Sequence, residues 1–125
     1  MRKSLTPLGE TEMEILHLVW EMGEATVKEI QARILERREV AYTTIMTVMK
    51  NLAGKGYLTY RKDGVTYVYR AARHPEKVQH SLLHGLLDKV FKGSPQALVQ
   101  TLVKNEKLSE EERSEIRRII DEMEE

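Results

Sequence analysis

Residues 42–70 read YTTIMTVMKNLAGKGYLTYRKDGVTYVYR, and two periodicities meet there. Ile45, Val48, Met49 and Leu52 stand at i, i+3, i+4 and i+7, the spacing of one buried helix face. The spacing predicts a helix from about Tyr42 to Lys55, closed by Gly54 and Gly56. Residues 57–70 switch to a two-residue alternation of β-branched and aromatic side chains around Asp63-Gly64, a strong hairpin signal. With Asp63-Gly64 as a two-residue loop, Lys62 faces Val65, Tyr60 faces Tyr67 and Leu58 faces Tyr69. Leu58, Tyr60, Val65, Tyr67 and Tyr69 then share a core face, while Thr59, Arg61, Thr66 and Arg70 point outward.

The opposite face of the helix carries the chemistry. Thr43, Thr47 and Lys50 lie near its centre, flanked by Met46 on one side and by Thr44 and Asn51 on the other. That face has no carboxylate. Threonine hydroxyls can meet several base edges, a threonine methyl or Met46 can pack on a thymine methyl, and Lys50 reaches a guanine edge or a phosphate. Lys55, Arg61 and Lys62 flank the hairpin and suit phosphate contacts, which fix orientation without carrying sequence information. Taken alone, such a face is as often an ordinary solvated helix surface.

Upstream, Met13, Leu16, Val19 and Trp20 predict a first helix over roughly 9–22, ended by Gly23 and capped near Thr6-Pro7 or Thr11. Thr26-Val-Lys-Glu29 is a capping box opening a second helix, with Val27, Ile30 and Ile34 on one face and an end near Arg37. Helix, helix, helix, hairpin is the order of a winged helix-turn-helix. Downstream, His74-Pro75 marks a boundary, giving a DNA-binding domain at 1–73 and a helical dimerisation domain at 74–125. Val78, Leu82, Leu83, Leu86, Leu87, Val90 and Phe91 predict a strongly apolar helix stopped by Gly93. Ser94-Pro95 opens a short helix bearing Leu98, Val99, Leu102 and Val103. Ser109 to Glu112 is a second capping box, before a last helix bearing Ile116, Ile119, Ile120 and Met123. The fold class expected is mostly α with a small β-hairpin wing. A second copy is the expected cover for Leu82, Leu83, Leu86, Val90, Leu98, Leu102, Ile116, Ile119 and Ile120, because so short a segment cannot bury them itself.

Composition narrows the classes. The 125 residues are 41% hydrophobic and 32% charged, enough for a core and against wholesale disorder. No apolar run is long enough for a membrane span and no secretory h-region opens the chain, so a cytoplasmic location is expected. There is no cysteine, hence no disulfide and no thiolate chemistry. Twenty basic and twenty acidic residues cancel overall. Residues 40–75, however, hold six basic side chains and one acid, and residues 106–125 hold four basic and nine acidic ones. A local basic patch holds a polyanion whatever the distant charges are.

With TEMEILHLVW (11–20), TVKEI (26–30), YTTIMTVMKNLAGKGYL (42–58) and YRKDGVTYVYRA (60–71), the chain resembles the penicillinase-repressor family of bacterial transcriptional regulators. The most specific block is T-T-I-x-T-x-x-x-x-L-x-x-K-G-x-L at 43–58. The resemblance implies a homodimeric repressor on a double-stranded, inverted-repeat DNA operator. It implies base reading by Thr43, Thr44, Met46, Thr47 and Lys50, and backbone contacts by a wing from Arg61 to Thr66. It brings as a possible partner the membrane-bound sensor protease of the β-lactam branch, which cuts relatives at an Asn-Phe pair. Thr101-Leu102 stands at those positions here, so the cut does not carry over directly. The copper branch uses C-terminal cysteines, which this chain lacks.

Other readings are weaker. His80, His84 and Asp88 have the helical spacing of metal ligands, but two histidines and one carboxylate without further ligands are more often surface positions, and no metal or cofactor is expected. His17 reads as a partly buried structural residue and His74 as part of a turn. No phosphate-binding glycine loop or nucleophile–base pair points to an enzyme, and Glu110, Glu111 and Glu112 suit a helix start. The rival is a winged-helix protein-interaction module that reads no bases.

Overall fold

The computed structural model describes residues 8–123. The chain forms two compact units, Met1–Gly85 and Leu86–Glu125.

The first unit is built on three helices and a small sheet: α1 (Glu10–Met22), β1 (Glu24–Ala25), α2 (Val27–Leu35), α3 (Tyr42–Gly54), β2 (Leu58–Asp63) and β3 (Thr66–Ala71). α1 starts at neither threonine expected to cap it. Thr6-Pro7 lies outside the described residues, and Thr11 is already inside the helix. Gly9 is the N-cap, and its N–H donates to the Glu12 carboxylate at 2.9 Å. α2 carries the expected capping box, with Thr26 Oγ1 accepting from Glu29 N at 3.1 Å and Glu29 Oε1 accepting from Thr26 N at 2.8 Å. The core gathers Ile15, Leu16 and Val19 of α1, Ile30 and Ile34 of α2, and Ile45, Met49 and Leu52 of α3, all fully buried. Leu35, expected beside this stripe, is half-exposed. His17 is exposed, against expectation: it points off the core side of α1 and stands edge-on to Trp20 at 5.2 Å.

The sheet order is β1-β3-β2, antiparallel throughout. β1 was not foreseen, since two residues have no periodicity to read. It pairs Glu24 with Arg70 and Ala25 with Tyr69. The hairpin register also differs from the one predicted. Asp63 pairs with Thr66, Lys62 with Tyr67, Tyr60 with Tyr69 and Leu58 with Ala71. The loop is therefore Gly64-Val65. Gly64 has φ +65° at the first central position, and no positive φ occurs at Val65, as in a type II′ turn. A glycine placed first fits this turn, so Asp63 is left to extend the strand. The shift preserves which side chains share a face. It also puts Val65 at the apex, 95% exposed, instead of in the core. Of the predicted core face only Leu58 and Tyr69 are buried; Tyr60 and Tyr67 are 52% and 39% exposed, because the hairpin projects beyond the helices.

Val68 is buried on the outward face. Arg61 is its cross-strand partner, and the Arg61 guanidinium reaches Glu24 on β1 at 3.0 Å. To bridge β2 and β1 the side chain must cross β3.

α4 (Pro75–Phe91) gives its opening residues to the first unit, where Val78 is buried and Leu82 packs against the core. Leu82 was expected at a dimer surface; it is partly covered by its own chain. The second unit holds the end of α4 with α5 (Pro95–Asn105) and α6 (Glu110–Glu122). Ser94 Oγ accepts from Ala97 N at 3.1 Å, and Ser109 and Glu112 form the foreseen capping box. Among the described residues of this unit none is buried: Leu86, Val90, Leu102, Ile119 and Ile120 are exposed, and Leu98 and Ile116 are intermediate. Leu83, three residues before this unit begins, is exposed too. Among the described residues no helix is long and apolar enough to cross a membrane.

Candidate nucleic-acid interface

The site is the outward side of α3. Burial of Ile45, Met49 and Leu52 fixes the rotation of the helix, and the 3.6-residue repeat then forces Thr43, Thr44, Thr47, Lys50 and Asn51 outward. All five are exposed. The turn into α3 is pinned by Gln31 Nε2, which donates to the Val40 carbonyl at 3.1 Å. α3 has no acid in its first turn, and its N-cap, Ala41, has no capping side chain. The exposed N-terminal end thus presents backbone N–H groups and a partial positive charge to any anion that approaches.

A groove runs between α3, the start of α2 and the hairpin. Met46 and Lys50 of α3 and Thr66 of β3, all expected at the site, line it together. So does Val65, inside the wing expected to touch the backbone, together with three residues not expected there: Tyr42, Lys28 and Tyr67. Tyr42 could have been found, since 42, 46 and 50 are i, i+4 and i+8 on one helix stripe. Tyr67 could not, because its strand face reads as core and only the tertiary placement of the hairpin leaves it 39% exposed. The exposed hairpin tyrosines stack edge to face, Tyr60 on Tyr67 at 4.9 Å, and Lys62 Nζ lies 6.0 Å from the Tyr67 ring centre.

The flanking cations are placed unequally. Lys62 is exposed on the hairpin. Arg61 is exposed but ion-paired with Glu24. Lys55 is half-turned into the fold: its Nζ donates to Glu12 Oε2 at 2.7 Å, and the same carboxylate accepts the Gly9 N–H. These two hydrogen bonds, the Lys55 one foremost, hold the Glu12 pKa below its ordinary value. Lys55 thus ties the end of α3 to the start of α1. Burial pushes the Tyr57 and Tyr69 hydroxyls above the usual phenol range, so both stay neutral at physiological pH.

His80 and His84 stack in parallel with ring centres 6.3 Å apart. Among the described residues, no group of three or more histidine, aspartate or glutamate side chains could hold a metal ion.

Three helices, a three-stranded antiparallel sheet and an exposed third helix beside a basic hairpin define a winged helix-turn-helix protein. Residues 8–122 match the penicillinase repressor family, and the chain belongs to that family. It is 30% identical over 122 residues to the transcriptional regulator BlaI of Mycobacterium tuberculosis, covering 96% of this chain and 87% of that one. It is 26% identical over 113 residues to the methicillin resistance regulatory protein MecI of Mammaliicoccus sciuri, covering 90% and 92% of the two chains. The solution structure of monomeric Bacillus licheniformis BlaI in complex with the blaP half-operator has the same fold, with a TM-score of 0.51 at 21% identity over 61% of this chain and 93% of that one.

Proposed function

We propose that the protein is a sequence-specific DNA-binding transcriptional repressor, acting as a homodimer on an inverted-repeat operator. The observation that carries this reading is the carboxylate-free ridge of Thr43, Thr44, Thr47 and Lys50, held outward by the buried stripe behind it. In this reading Thr43, Thr44, Met46, Thr47 and Lys50 read base edges in the major groove. Arg61, Lys62 and Thr66 grip phosphates, with Lys55 at the margin of the contact. The half-operator complex of the related fold supports the DNA-binding reading. The apolar residues left exposed on the second unit support pairing with another copy, with 74–125 as the dimerisation segment. Such a regulator acts by binding, in the cytoplasm where its operator lies. The sensor protease stays a conditional partner, for Thr101 and Leu102 lie within α5 and are both exposed.

Selection of bound sequences from random duplexes tests the reading and supplies the operator together. Enrichment of a two-fold-related motif is expected; no enrichment at low salt would favour a protein-interaction module. On the selected operator, Thr47→Ala should cost about 1–3 kcal/mol and relax preference at one base position. Arg61→Ala should weaken all duplexes alike and flatten the salt dependence. Identical behaviour of the two variants would end the division between reading and gripping.

A further inference from the structure

We propose that Glu24 is an internal stand-in for phosphate that holds Arg61 down on the sheet and limits the affinity of the wing for DNA. The inference rests on the DNA-binding reading above. Glu24 is placed by its strand: β1 pairs it with Arg70, and this sets its carboxylate within 3.0 Å of Arg61 Nη2 across the sheet. Arg61 cannot serve a phosphate and Glu24 equally with one guanidinium edge. The pair is about half-exposed on both sides, so it is weak and exchangeable, a brake and not a lock.

The charge balance gives a distinctive signature. A cation that neutralises a phosphate releases a condensed counterion and adds about 0.9 to the log–log salt slope. When Arg61 must leave Glu24 to do so, the bared carboxylate draws in a cation, which offsets that release. Wild-type protein should therefore show a shallower slope than its count of wing cations implies. Glu24→Gln keeps a hydrogen-bond acceptor for Arg61 but removes the charge.

Binding of the full-length protein to a mixed-sequence duplex, followed by fluorescence anisotropy across a salt series, tests this. Glu24→Gln should tighten low-salt binding by about two- to fivefold and steepen the slope by up to about 0.9. Glu24→Ala should do the same. Both gains should vanish in an Arg61→Ala background. Asp63→Asn, which removes a carboxylate from the same hairpin, controls for general repulsion and should give a gain independent of Arg61. A Glu24→Gln gain that persists without Arg61, or no gain in the wild-type background, overturns the proposal. An Arg61→Ala variant that binds like wild type overturns it as well, and leaves the DNA-binding reading standing. Absence of binding by every variant and by the wild type, at the lowest salt, would remove both.

Discussion

α3 and α6 are each thirteen residues long, and each has an apolar stripe on one side. Their fates are opposite. Ile45, Met49 and Leu52 of α3 have no accessible surface, whereas Ile119 and Ile120 of α6 are 50% and 53% exposed. The same contrast holds for the whole units: every described buried residue lies between Ile15 and Val78. Periodicity tells which face of a helix is apolar, but not what will cover it. In the first unit the chain supplies the cover. In the second it leaves the stripe for something else, and a second copy is the cover proposed here.

The comparison can be broken most directly in the core. Ile45→Ala should cost about 2–5 kcal/mol in urea unfolding, since it empties a closed space behind the threonine ridge. A loss below about 1 kcal/mol would mean that the stripe is not packed as described. Leu86→Glu should leave the first unit folded, by circular dichroism, while light scattering shows one chain instead of two. An unchanged mass would send the interface elsewhere. A smaller effect sharpens the picture of the first unit. Lys55→Met should lose about 0.5–1 kcal/mol at neutral pH by releasing Glu12. Its pH dependence has a definite sign. The Glu12 pKa is lowered by folding, so its contribution is present above the ordinary carboxylate value and fades as pH falls through the depressed one. Thermal melts below pH 4.5 should therefore converge for wild type and variant, and a gap that widens on acidification would contradict the Glu12 assignment.

Much of the fold could be read from spacing alone. The helices at Tyr42–Gly54 and Pro95–Asn105, and the capping boxes at Thr26 and Ser109, stand where apolar repeats and hydroxyl caps put them. What escaped had physical reasons. β1 is held by two residue pairs to a distant strand, a pairing with no local trace. The hairpin turn shifted by one position because Asp-Gly serves a turn that needs Gly second, while Gly-Val serves one that needs Gly first, and only the flanking pairings decide. At the site, the rotation of α3 was readable from Ile45, Met49 and Leu52. The engagements of Lys55 with Glu12 and of Arg61 with Glu24 were not, because they join residues 43 and 37 positions apart.

Val68 is buried and stands directly across the strands from Arg61, so an Arg61 that leaves Glu24 for a phosphate should uncover part of it. Hydrating that valine raises the heat capacity of the bound state, against the decrease that burial elsewhere in a complex produces. Calorimetry over a range of temperatures would then register the motion of one arginine as a blunted heat-capacity change.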